Sequence, residues 1–432
     1  MIPRRSLWYR PPNAMMSSSK PQQTILIVFS MSPYPLHSSG LGLRYLPVLQ
    51  YLAQRHILDI MIVDRPNSPP SLTVEPLRAY CRNLFLTGKS MSNVTPEWWE
   101  KIRTHLVSWL PWTPPSHCNV YHAERMANEM RRLTAGFQYD TLVCVGMSWH
   151  TPHVWGIAAA RRIVDFCDSP TAFYKRNVAS SKETLSLRYN AWKAKRYEID
   201  LIRKSTATVY ISLVDANALS PQEVGQGQRY VLPNGISTEA YSPDCAEPVR
   251  APSIGFLGNM SYTPNVEAAA WLYQEVFLPL RRQIPTLSLY IIGRSPATSV
   301  RALGENVGVV VTGEVEQVWP WLNAVDLFVL PIFNGTGVKN KILEILHAKR
   351  AIVTTPLANE GINAVSGRDL VLGNSIADFQ RETLRLLGAP AERARLGESG
   401  HRWVAKHFSW GAILEDFEAV ITGRDIPARC CV

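Results

Sequence analysis

Asp326-Leu-Phe-Val-Leu-Pro-Ile-Phe-Asn-Gly-Thr-Gly-Val-Lys-Asn-Lys-Ile-Leu-Glu344 passes from a buried-type strand through a glycine loop, at Gly335 and Gly337, into a helix. Glycines at such a turn let backbone N–H groups approach an anion closely, and a helix N-terminus adds about half a positive charge. Lys339 and Lys341 fall in the first turn of a helix predicted over 338–349, where acids are the usual residents. Glu344 follows about one turn later, placed to accept hydrogen bonds from sugar hydroxyls. The stretch implies one strand–helix unit of a parallel sheet with a nucleotide diphosphate at its carboxyl end. An exposed basic helix face, and a plain Glu344–Lys341 pairing one turn apart, would read the same way.

The flanking sequence repeats the pattern. Predicted strands at 253–257, 287–292, 308–311, 327–330 and 351–354 alternate with helices at 266–282, 315–323 and 338–349, with more helix from 376 to 422. Short apolar strands separated by helices predict a parallel sheet covered on both faces. Strands at 24–29, 57–63, 141–145, 163–168 and 207–211, with helical spacing over 43–53, predict a second such unit earlier in the chain. The tract 73–115, with its tryptophans at 98, 99, 109 and 112, reads as mixed helix and loop. The expected fold class is α/β: two tandem Rossmann-like domains whose parallel sheets face a central cleft. Loops after Leu257, Ile292, Val311 and Leu330 should share one rim, because ligands of open parallel sheets sit at the strands' carboxyl ends.

At 432 residues the chain is too long for one ordinary core. A hydrophobic content of 46% is that of a globular protein. The expected division is a flexible basic extension over 1–20, a first Rossmann-like domain over 21–245, a second over 246–408, and a C-terminal helix and tail over 409–432 that packs back on the first domain. No apolar run approaches the roughly 18 residues that span a bilayer, and the 24–29 run lacks a cleavage site for a signal peptide. Seven scattered cysteines without a Cys-x-x-Cys pair fit reduced thiols in the cytoplasm. No His or Cys spacing suits a metal, so none is expected.

Charge is uneven. Residues 1–245 hold 27 Lys and Arg against 17 Asp and Glu, while 246–432 hold 18 against 18. An anionic partner for the first half follows: a membrane surface, with peripheral attachment at the cytoplasmic face, or a lipid-linked acceptor. A merely solvated basic face gives the same count. Nucleic acid is unlikely as a partner, since basic and aromatic residues do not interleave. Gly40-Leu-Gly42 is half a dinucleotide fingerprint, but position 45 is tyrosine, and no cofactor is expected. Asp165 and Asp168 could form a carboxylate pair, although their spacing on a strand turns them to opposite faces.

Taken together, Gly258-Asn-Met-Ser-Tyr-Thr-Pro-Asn265, Ile292-Gly-Arg-Ser-Pro296, Val311-Thr-Gly313, the Thr336–Glu344 segment, Ser38-Ser-Gly40, Val231-Leu-Pro-Asn-Gly235 and Phe408-Ser-Trp410 resemble the family 4 retaining glycosyltransferases. The subgroup associated with bacterial exopolysaccharide assembly is the nearest in pattern. The resemblance spans nearly the whole chain and implies the GT-B fold with sugar transfer from a nucleotide-diphosphate donor to a glycan, lipid-linked or small-molecule acceptor. By the same resemblance the 246–408 domain would bind the donor and the 21–245 domain the acceptor.

It also implies roles. Lys339 and Lys341 would stabilise the departing diphosphate and Glu344 would hold the ribose. Gly40, Gly258, Asn259, Gly293, Arg294, Gly313, Val315, Gly337 and Glu360 would line the donor. His150, or its neighbour His153, would stand beside the donor sugar, and Asp168 near the cleft; a histidine of the core at position 150 would fit the same sequence. Two departures stand out: Thr336 occupies the first position of the family's Glu-x7-Glu pair, and no arginine follows the 253–257 strand. Lys339, Lys341 and Arg294 would then supply the phosphate charge. A nucleotide-sugar epimerase of the same fold and a non-catalytic nucleotide-sugar-binding protein are the competing functions.

Overall fold

Strand segments such as 25–29 and 253–257 are buried at every position, so both pleat faces are covered where these strands run. The computed structural model describes residues 22–34, 40–63, 74–87, 98–115, 118, 123–148, 150–180, 184–225, 227–236, 248–335 and 337–432. The expected basic extension, the Ser38-Ser39 pair, most of the 242–249 linker and Thr336 lie outside these. The described chain forms two units. One is the continuous segment Gly235–Trp410; the other joins residues up to Asn234 with Gly411–Val432. The divisions thus fall after 234 and after 410, rather than after 245 and 408.

The discontinuous unit carries a seven-stranded parallel sheet. Its strands are β1 (Thr24–Phe29), β2 (Ile57–Val63), β3 (Asn83–Thr87), β4 (Tyr139–Val145), β5 (Ala159–Cys167), β6 (Ala207–Tyr210) and β7 (Arg229–Val231), in the order β3-β2-β1-β4-β5-β6-β7. The order reverses between β1 and β4, which makes that gap the topological switch point. The helix Trp410–Thr422 contributes buried Ile413, Leu414, Phe417, Val420 and Ile421 to this unit. Its end is tied to the sheet by Thr141 Oγ1 donating to the Ile421 carbonyl at 3.0 Å and Arg161 donating to Val420 at 3.2 Å.

Asp165, one half of the suspected carboxylate pair, is not at a site. It is buried on β5 and accepts from Arg44 Nε at 2.9 Å and the Tyr45 hydroxyl at 2.6 Å. Arg44 also donates to the Leu232 carbonyl at 2.8 Å and to Asn234 Oδ1 at 3.1 Å. Burial works against the Arg44 charge, but Asp165 outweighs it and holds the guanidinium above its ordinary range.

The continuous unit carries a six-stranded parallel sheet. Its strands are β8 (Ser253–Leu257), β9 (Ser288–Ile292), β10 (Val309–Gly313), β11 (Leu327–Leu330), β12 (Ile352–Thr354) and β13 (Val371–Leu372), in the order β10-β9-β8-β11-β12-β13. Its switch point lies between β8 and β11. The helix expected over 266–282 is broken into α (Thr263–Trp271), π (Leu272–Phe277) and α (Leu278–Gln283). Pro279 is the cause: it has no N–H for the Glu275 carbonyl four residues back. The Gln380 side-chain amide fills that vacancy, donating to Glu275 O at 2.6 Å. Among the described residues no helix is long and apolar enough to cross a membrane.

Candidate donor site

Because every strand of the second sheet is parallel, the loops after β8, β9, β10 and β11 leave from the same edge. They are also stitched to one another. Met260 N donates to the Arg294 carbonyl at 2.9 Å and Ala297 N donates back to Met260 O at 3.1 Å. Gly293 lies at φ +145°, and a Cβ there would stand 1.8 Å from the Gly258 carbonyl oxygen, so only glycine permits this crossing. Gly293 N donates to Thr312 Oγ1 at 3.3 Å, which ties the β9 loop to Gly313 at the end of β10. Gly335, after β11, sits 3.8 Å from the Lys339 ammonium and 3.8 Å from the Tyr262 hydroxyl, measured from where its Cβ would be.

Lys341 occupies the switch point. Its Nζ donates to Asn265 Oδ1 at 2.6 Å and lies 5.3 Å from the centre of the Phe256 ring. It would be 3.0 Å from a Cβ at Gly258, so the missing side chain there makes room for the ammonium. Asn265 turns its other end to the loop, Nδ2 donating to the Asn259 carbonyl at 2.8 Å. Lys339 Nζ donates to the Gly337 carbonyl at 2.7 Å.

The helix runs over Asn340–His347, shorter than the expected 338–349, with Lys339 as its N-cap. Only Lys341 is therefore inside the first turn. Loss of hydration, then the nearby Lys339, holds Lys341 down at about 7, against a pull upward from Glu344. Loss of hydration lifts Glu344 to about 7, with Lys341 opposing. A cation held in such a position gains its full charge most readily when an anion arrives beside it.

The structure gathers Gly258, Asn259, Gly293, Arg294, Gly337, Lys339, Lys341 and Glu344 on this edge. Gly313 and Val315 lie further along it, past edge strand β10. Glu360, half-buried, follows the short helix Pro356–Asn359 after β12. Gly40 and His150 belong to the other unit. Gly40 opens the helix Gly40–Ala53 after β1.

The expectation for His150 needs correction. It follows β4 at the level anticipated, but its side chain has no exposed surface, and burial lowers its pKa to about 3. It is a neutral imidazole enclosed in the fold. Asn265 and Tyr262 are the residues that the motif reading left without a role; no signal short of the fold connects Asn265 to a lysine 76 positions later. Among the described residues no three or more His, Cys, Asp or Glu gather in a way that would hold a metal.

Residues 251–389 match the family model described as glycosyl transferases group 1. Known structures align over almost the whole chain. Sucrose-phosphate synthase from Thermosynechococcus elongatus superposes with a TM-score of 0.65 at 13% identity, covering 92% of this chain and 98% of that one. The Anabaena protein HepE, solved with UDP and glucose, gives 0.62 at 10% identity over 93% and 100%. TarM of S. aureus gives 0.64 at 10% identity over 92% and 98%. The chain has the GT-B fold. A curated relative, an uncharacterized 44.6 kDa protein in the cps region of Klebsiella pneumoniae, is 23% identical over 137 residues, 30% of this chain. The chain spans about a third of that relative's length. Family match and fold together support a GT-B glycosyltransferase.

Proposed function

We propose that this chain transfers a sugar from a nucleotide-diphosphate donor with retention of anomeric configuration, as a family 4 enzyme of polysaccharide assembly. The Gly235–Trp410 unit takes the donor and the other unit takes a glycan or lipid-linked acceptor. The observation that carries this reading is Lys341, a poorly hydrated cation at the switch point between β8 and β11, braced by Asn265 and facing a glycine-lined edge.

In the reaction the donor C1–O bond loosens toward an oxocarbenium-like state and the electron pair leaves with the diphosphate. The acceptor hydroxyl enters on the same face and its proton passes to the departing phosphate. Lys341, Lys339 and the loop N–H groups stabilise the charge that collects on the leaving group, and Glu344 accepts from the ribose hydroxyls. Thr336 leaves the donor sugar without the carboxylate contact that a glutamate would give. UDP-glucose is the first donor to try, because HepE was solved with it.

The test is incubation with UDP-glucose and a panel of other nucleotide-sugars, with and without acceptor glycans or polyprenyl-linked sugars, the products resolved by mass spectrometry and NMR. An acceptor-dependent product with the donor's anomeric configuration is expected. Conversion of the donor without acceptor, or tight nucleotide binding without turnover, would overturn the proposal.

A further inference from the structure

The first unit carries an apolar surface unrelated to the donor site. In the helix Trp98–Ser108 and the turn after it, Trp98 is 73% exposed, Ile102 51%, Leu106 63%, Trp109 53% and Trp112 68%. At about 100° per residue, positions 98, 102, 106 and 109 fall within roughly a quarter-turn of one another. Lys101 and His105 border that stripe on one side and Arg103 on the other, all three exposed.

A second helix extends the surface. On Leu185–Lys204, Leu185 is 86% exposed and Trp192 47%, with exposed Arg188 and Arg196 interleaved on the same face. The two helices are locked together: Trp109 stacks on Tyr189 at 5.9 Å, and Tyr189 on Trp192 at 5.8 Å. The buried Lys193 ties the end of the first helix, donating to Ser108 O at 2.6 Å and Thr113 Oγ1 at 2.9 Å. The Arg196 guanidinium lies 5.4 Å from the Trp192 ring centre.

We propose that this two-helix face docks on an anionic lipid bilayer, its tryptophans and aliphatic side chains entering the headgroup boundary and its flanking cations meeting lipid phosphates. Tryptophan carries an apolar body and an N–H that suit that boundary, and Trp and Leu on one side with Lys and Arg beside them is the pattern of helices that lie in it. The charge complements such a surface: the excess of 27 basic over 17 acidic residues lies wholly in 1–245. The proposal gives the basic half a specific contact surface. It stands whether or not the chain transfers sugar.

The test is co-sedimentation of the full chain with vesicles of equimolar phosphatidylcholine and phosphatidylglycerol, and with phosphatidylcholine alone. Wild type is expected to bind the anionic vesicles at least tenfold more tightly, with part of that binding surviving high salt because the apolar contribution is not screened. Trp98→Ser/Ile102→Ser/Leu106→Ser should weaken binding at least tenfold without lowering thermal stability, and Lys101→Glu/Arg103→Glu should weaken it at low salt only. Val307→Ser, an exposed position on the other unit, should change nothing, and Lys341→Ala should lower turnover by about two to three orders of magnitude yet leave vesicle binding intact. Undiminished binding by the triple variant, or complete loss of wild-type binding in high salt, would overturn the proposal. A wild-type dimer in sedimentation velocity that the triple variant dissolves would assign the face to a second copy and overturn it too.

Discussion

At Lys341 the loss of hydration and the neighbouring Lys339 work against a proton while Glu344 works for it, and the balance lies at about 7. The sign of the pH dependence follows. Below about 7 the ammonium is charged and attracts a diphosphate; as pH rises through that value the charge is lost. The affinity of wild type for UDP should therefore weaken as pH is raised from about 7, by at most about tenfold per pH unit. Lys341→Ala should bind more weakly and lose that slope. Calorimetry in buffers of different ionisation heat should register proton uptake on binding only for wild type. In turnover, Lys341→Ala should cost about two to three orders of magnitude, the effect of removing one donor from a dry site. Asp165→Ala makes the opposite kind of change. It leaves Arg44 buried without its carboxylate, and urea unfolding should show a loss of about 3–5 kcal/mol. Lys339, Lys341 and Glu344 stood out in the sequence as candidates because two cations around a helix start run against the usual preference, and the structure places them on one edge. His150 was left between a site role and a core role because a turn can aim a side chain into the fold or out of it, and residue order does not say which.

Elements meet at the glycine crossing of the β8 and β9 loops, and the two glycines there predict different outcomes. Gly293→Ala drives a Cβ into the Gly258 carbonyl at a positive φ, so backbone must move; a loss of about 2–4 kcal/mol in denaturant unfolding is expected. Gly258→Ala meets the ends of two side chains, Asn265 Nδ2 at 2.8 Å and Lys341 Nζ at 3.0 Å, which can shift. It should unfold almost as wild type and bind UDP at least tenfold more weakly, because the ammonium is displaced. Most strands were readable as apolar runs, since strands buried on both faces have no polar alternation to obscure them. β3 was not: an edge strand mostly half-exposed, its Asn-Leu-Phe-Leu-Thr sits in a tract rich in proline and tryptophan. β13, two residues long, is too short to register as a pattern. The helix break at Leu272–Phe277 was foreseeable from Pro279, but Gln380 as the replacement donor comes from a distant helix and is visible only in three dimensions.

At the scale of the whole chain the units differ in continuity. Gly235–Trp410 is one uninterrupted stretch and should fold alone, giving a single cooperative unfolding transition and UDP binding close to that of the full protein. Residues 22–234 alone lack the core residues Leu414, Phe417 and Val420 and should remain molten by near-ultraviolet dichroism; appending 411–432 through a short linker should restore the native signal. The returning helix Trp410–Thr422 has a further consequence, in time. A ribosome releases the seven strands of the first sheet early, but the helix that completes their core is made only after the whole Gly235–Trp410 stretch. At about 5–20 residues per second that core waits roughly 10–40 s, while the unit encoded second is already whole. Vulnerability to aggregation during synthesis therefore belongs to the half of the protein that emerges first.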